Sequence, residues 1–121
     1  MFRALLLVLL LLPSMAFAGD AARGKVVASV RCLPCHHIDT LSRSIGPGLL
    51  GVYGRAPSIS GVSFDVWDAA ALDAWIASPR SVKPNTRMAL PPIADRDRAD
   101  IIAYFKSQTD AVGPVKGAVD K

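Results

Sequence analysis

Cys32-Leu33-Pro34-Cys35-His36 is the stretch that decides how this chain folds. Two thiols three positions apart, followed at once by an imidazole, suit the attachment of haem. Each thiol can add across a vinyl group to form a thioether, and His36 then reaches the iron from one side of the ring. A C-x-x-C pair also serves as a zinc half-site or a redox dithiol. Zinc wants a second pair of ligands, and the chain offers no further cysteine and one other histidine, His37. A dithiol site of the thioredoxin kind wants a strand ahead of it and a βαβ pattern around it, and neither is visible. The trailing histidine selects haem c, one group held through two thioethers.

Toward the N-terminus, residues 1–18 read as an export signal. Arg3 is a positive start, residues 4–12 are an unbroken apolar run, and Ala16-Phe17-Ala18 has the small-x-small form of a cleavage site. The run falls short of the ~20 apolar residues of a spanning helix; an uncleaved anchor is the alternative. The mature chain then starts at Gly19 and works in the periplasm, where two nearby thiols would pair unless something used them. Of the 121 residues, the 103 that remain make one domain, with a core small enough for a buried macrocycle to add substantially to it. All ten acids are aspartate, and without Arg3 they face 13 bases. So small an excess attracts polyanions weakly, and aromatic and basic residues are not interleaved, which argues against nucleic-acid binding.

Along the mature chain, Asp20 is placed to cap a first helix over 21–31, with Val26, Val27 and Val30 at helical spacing and Gly24 inside it. Residues 37–55 read as loop, since Gly46-Pro47-Gly48 cannot continue a helix. A haem-ligating histidine donates its other ring N–H to an acceptor, and the Pro47 carbonyl is the candidate. A second helix is expected over 66–78, ending before Pro79 and carrying Trp67 and Trp75 on one face, where both could line a large planar ligand. The Pro-rich loop 80–92 holds Met88, the one methionine after residue 18. A third helix begins near Asp95 or Asp97 and carries Ile101, Ile102 and Phe105. The domain is taken as 19–108, and 109–121 as a flexible polar tail.

These residues together resemble the small class I c-type cytochromes. The likeness spans about residues 20–108 and rests on Gly24, Cys32-x-x-Cys35-His36, Gly46-Pro47-x-Leu49, Gly54-Arg55, Trp67, Asn85-Thr86-Arg87-Met88 and Ile101-Ile102-Ala103-Tyr104-Phe105. It implies an all-α fold, three main helices packed around one covalently bound haem with loops carrying the distal ligand. It implies His36 as proximal and Met88 as distal iron ligand, the Pro47 carbonyl as partner of the His36 ring, and Arg55 and Trp67 near a haem propionate. It also implies that Gly24 lies where the first helix crosses the last, against Ile101 and Tyr104. Ala28 departs from the pattern at a position that is usually aromatic, Trp75 at one that is usually tyrosine, and Asn85 at one that is usually glycine.

An iron held by His and Met has no open position for substrate, so the expected function is one-electron transfer and not catalysis. The expected partners are redox proteins, a dehydrogenase or an oxidase or reductase, with the chain a monomer or one subunit of a redox complex. A dedicated haem subunit of one periplasmic dehydrogenase is the near alternative. A gas sensor in which Met88 leaves the iron is a more distant one.

Overall fold

In the computed structural model, which describes residues 19–113 and residue 115, the elements are α1 (Ala21–Arg31), α2 (Ala69–Ala77), a short α3 (Pro79–Val82) and α4 (Asp95–Val112). The all-α expectation holds, with no strand among the described residues. The expected export signal, 1–18, lies outside them, as do 114 and 116–121 of the expected tail.

Helix α1 starts where the Asp20 carboxylate accepts the Arg23 backbone N–H at 3.0 Å, satisfying one of the orphan donors of the first turn. It is held to α4 at a close crossing. A Cβ on Gly24 would fall on the backbone carbonyl of Asp100, so glycine is what lets the two backbones approach. Ala28 and Ile101 are fully buried at this seam. The atoms nearest that Cβ are the Asp100 carbonyl and the Ile101 N. Buried Asp100 seals the crossing: its carboxylate accepts the Asp20 N–H at 2.8 Å and the Arg23 guanidinium at 2.5 Å. Arg23 also pairs with Asp97 at 2.7 Å.

Three expected boundaries move. Helix α2 begins at Ala69 and not at Val66, because the Asp68 carboxylate caps it through the Ala71 N–H at 2.8 Å. Trp67 is thereby left outside the helix, its backbone exchanging bonds with Gly54 and Arg55 at 2.8 and 2.9 Å. Pro79 ends α2 but also starts α3, where its fixed φ suits the first helical position. Helix α4 continues past Gln108 to Val112. Gln108 and Thr109 turn inward there, donating to the carbonyls of Ile38 at 2.9 Å and Tyr53 at 2.8 Å. The core gathered between these elements includes Ile38, Val52, Trp67, Leu72, Trp75, Ile76, Ile93 and Phe105.

Candidate functional site

The turn after α1 delivers Cys32, Cys35 and His36 to one cavity of about 400 Å³, within the ~300–1,000 Å³ of small-molecule sites. Met88 lines the same cavity from the loop between α3 and α4, with Leu49, Val52, Trp67, Trp75 and Phe105 supplying apolar walls. Residues separated by more than fifty positions thus meet at one site. The two tryptophans pack edge to face, ring centroids 5.7 Å apart, and Phe64 tilts against Trp67 at 4.7 Å. They meet although Trp67 lies outside α2, so the expected shared helix face is replaced by a tertiary contact.

His36 is fixed by its own surroundings. Its Nδ1 lies 2.7 Å from the Pro47 carbonyl. A carbonyl can only accept, so Nδ1 carries the proton and Nε2 keeps its lone pair. Gly46 closes over the ring: a Cβ there would stand 2.7 Å from Nδ1 and 2.9 Å from Nε2. The Gly46 N–H donates to the Cys35 carbonyl at 2.7 Å, tying that loop to the Cys-Cys-His turn. The sequence marked Gly46 only as part of a turn, and its role as the cover of the imidazole comes from the fold. His37 is exposed and does not line the cavity.

The two cysteines differ. Cys32 is desolvated against the apolar wall, which pushes its thiol up to about 11, while Cys35 is exposed at the mouth. Among the described residues no cluster of three or more His, Cys or Asp side chains forms a metal site. The thiols and imidazole converge instead on an apolar, planar-walled space.

Arg55 tests what that space is built to hold. Its half-buried guanidinium lines the cavity, and its hydrogen bond there is to the Gly48 carbonyl at 3.3 Å. Burial without a carboxylate lowers its pKa from the ordinary arginine value. A buried cation facing an apolar slot calls for an anionic group on an otherwise apolar ligand. Haem, an apolar macrocycle bearing propionates, fits this donor set, the paired thiols and the imidazole lone pair together. Asn85, which could have taken a positive φ, does not: within the described residues that region is occupied by glycines alone.

Comparison with known proteins agrees with this geometry. A family model described as "Cytochrome c" matches residues 21–109. Cytochrome c of Euglena viridis is 37% identical over 102 residues, covering 76% of this chain and 100% of that protein. Cytochrome c2 iso-2 of Magnetospirillum fulvum is 34% identical over 86 residues, covering 63% of this chain and 90% of that protein. The solved structure of cytochrome cH from Methylobacterium extorquens superposes with a TM-score of 0.60 at 33% identity, covering 74% of this chain and 99% of that one. The chain belongs to the cytochrome c family. It is accordingly a haem c protein and an electron carrier, and electron carriage implies redox partners.

Proposed function

We propose that the protein is a periplasmic one-electron carrier with no substrate chemistry of its own, Cys32 and Cys35 holding the haem through thioethers, His36 its proximal ligand and Met88 its distal ligand. The observation that carries this is the convergence of Cys32, Cys35, His36 and Met88 on one apolar cavity, with the His36 lone pair left on Nε2. Bound there, haem supplies a Fe(III)/Fe(II) couple. The protein's part is to hold that group rigidly and keep water from it. The Pro47 carbonyl, accepting the hydrogen bond from Nδ1, fixes the tautomer and orientation of His36 and would strengthen it as a ligand. Arg55 would offset the charge of the propionates, and Trp67, bonded to it backbone to backbone, lines the same wall and would offer its indole N–H. Trp75 packs on Trp67 and limits movement of that wall.

The periplasmic reading is supported by Arg3, the apolar run 4–12 and Ala16-Phe17-Ala18. The domain then starts at Gly19 and takes in all of α4, to Val112. No helix among the described residues is long and apolar enough to cross a membrane. N-terminal sequencing of protein from cells should begin at Gly19.

Two measurements test the ligation. Haem should stay with the polypeptide through acid–acetone extraction; colour that extracts refutes the thioethers. Met88→His should stay low-spin with a lowered potential, because imidazole favours ferric iron more than a thioether does. A spectrum and potential identical to those of the parent would show that Met88 is not the ligand.

A further inference from the structure

Helix α4 runs on past the core it packs against. Its last turn, Asp110, Ala111 and Val112, is exposed, so burial of that turn does not account for the extension. The extension instead brings three groups onto one loop. Gln108 Nε2 donates to the Ile38 carbonyl at 2.9 Å, and Thr109 Oγ1 to the Tyr53 carbonyl at 2.8 Å. The chain then turns at Gly113, where φ is +77°, and Val115 lies on Gly51. A Cβ on Gly51 would stand 2.6 Å from Val115 Cγ2, and the φ of +68° at Gly51 favours glycine as well.

The direction of the Thr109 bond separates this grip from ordinary helix chemistry. A hydroxyl inside a helix commonly bonds back to a carbonyl three or four positions earlier. Ser29 does so in α1, toward Lys25, and Ser107 does so in α4, toward Tyr104. Thr109 reaches across 56 positions instead. Gln108 is equally committed. Its Nε2 serves both the Ile38 carbonyl and Tyr104 Oη, while its Oε1 is buried with no protein partner among the described residues.

The loop so gripped is the one that orients His36. Ile38 and Tyr53 bracket Pro47, whose carbonyl lies 2.7 Å from His36 Nδ1. Between these ends the loop closes on itself, Leu49 N donating to the His37 carbonyl at 2.9 Å and Leu50 N to the Thr40 carbonyl at 3.2 Å. Gly48 is packed so tightly that a Cβ there would meet the backbone of Thr40 and Leu41. A loop braced in this way moves as a body, so a shift at its ends is a shift of the Pro47 carbonyl. Helix α4 is seated in turn on α1 at the Gly24 crossing.

We propose that Thr109 and Val115, with Gln108, are positioning residues for the proximal ligand: they fix the loop 38–53 to α4, hold the Pro47 carbonyl on His36 Nδ1, and so set the reduction potential. The proposal rests on the reading of His36 as iron ligand. Released from α4, the loop lets that hydrogen bond lengthen, the imidazole becomes a weaker ligand to ferric iron, and the potential rises.

The test uses the holoprotein and reads three quantities: the potential by spectroelectrochemistry, exchange of the His36 Nδ1 proton with D2O by proton NMR, and Tm. Thr109→Val keeps the shape of the side chain and removes its donor. Thr109→Ser keeps the donor. A chain ending at Gly113 keeps all of α4 and loses Val115. In Thr109→Val and in the shortened chain the Nδ1 proton should exchange about tenfold faster. Both should lose about twofold or more in ferric over ferrous affinity, a rise of ~18 mV at ~59 mV per tenfold. Thr109→Ser should return both readings to the parent values. Gly24→Ala, at the far side of α4, should lower Tm and move neither. A fall in Tm with potential and exchange unchanged, in either the valine variant or the shortened chain, would make the clasp purely structural and overturn the proposal. Failure of serine to restore the parent readings overturns it too. Should Thr109→Val give no folded holoprotein, the shortened chain decides alone. The ligand reading is checked separately in the parent: a His36 Nδ1 proton without a hyperfine shift in the ferric protein would overturn that reading, and the proposal with it.

Discussion

Gly46→Ala perturbs the site at one atom. The new Cβ would lie 2.3 Å from His36 Cε1 and 2.7 Å from Nδ1, where ordinary contact begins at 3.4 Å. The ring or the loop must therefore yield by about 1.1 Å. If the ring moves, its 2.7 Å bond to the Pro47 carbonyl opens beyond the ~3.2 Å limit of a good N–H···O bond. Leaving both polar groups short of a partner costs about 1–3 kcal/mol, and the overpacking itself about 1–3 kcal/mol. A total near 3 kcal/mol corresponds to a fall in Tm of roughly 12–24 °C for a domain of this size. The chemical consequence is separate. An imidazole that no longer donates from Nδ1 would be a weaker iron ligand, ferric iron would be less stabilised, and the potential should rise, by about 59 mV for each tenfold change in relative affinity. Thermal melting by circular dichroism and a spectroelectrochemical titration read the two effects. Gly24→Ala is the control, since its Cβ meets the Asp100 carbonyl at the helix crossing; it should lower Tm and leave the potential unchanged. A Gly46→Ala protein with the parent's potential would refute the claim that this glycine and Pro47 set the imidazole.

Two further outcomes follow from the helix seam. The backbone N–H of Asp20, and after it the Arg23 guanidinium, hold the Asp100 carboxyl below its ordinary value. A depressed folded pKa gives stability that is present above the unfolded value of ~3.9 and is lost as pH falls through the folded one. The stability advantage of the parent over a folded Asp100→Asn protein, read by urea titration, should therefore be full at neutral pH and shrink as pH falls below ~3.9; a difference that does not change with pH would refute the role. Gln108→Leu removes the donor to the Ile38 carbonyl and to Tyr104 Oη, at 2.9 and 2.7 Å. It should cost about 1–3 kcal/mol in a urea titration, and an unchanged midpoint would show that the clasp on the ligand-bearing loop is idle.

What the sequence made legible is what depends on near neighbours. Asp20 caps α1 through a residue three positions on, and the Cys-Cys-His turn is chemistry written in five consecutive letters. Pro47 could be proposed because a histidine that binds metal needs an acceptor, and the Pro47 carbonyl is where the ring points its Nδ1–H. What it did not disclose depends on partners far along the chain. Trp67 has helical spacing to Trp75, yet Gly54 and Arg55 claim its backbone. Gln108 and Thr109 look like the start of a polar tail, and they are helical because Ile38 and Tyr53 offer them carbonyls about 70 and 56 positions away. Asp100 sits among Ile101 and Tyr104, and no periodicity distinguishes a buried carboxylate from a solvated one.

The same distances decide how far folding depends on the cofactor. Helices α1 and α4 pack directly, and α2 packs on α4, while the Pro47 loop, α2 and the Met88 loop all line the cavity. An apolar space left unfilled costs about 24 cal/mol per Å³. Over about 400 Å³ that reaches ~10 kcal/mol, an upper bound because the mouth is open to water. The whole stability of a domain this small is ~5–15 kcal/mol. The large core side chains Trp67, Leu72, Trp75, Ile76, Ile93, Ile101 and Phe105 themselves line this cavity, so its filling decides how well they pack. Cys32→Ala/Cys35→Ala made without haem should therefore show little fixed tertiary structure. Near-ultraviolet circular dichroism should be flat and the amide proton shifts narrowly dispersed, whereas the holoprotein melts cooperatively. A haem-free double variant that melts in one sharp transition would mean that the α1–α4 seam, with Gly24, Asp100 and Ile101, suffices to fold the chain. The cofactor would then be a guest in a finished structure and not part of its core.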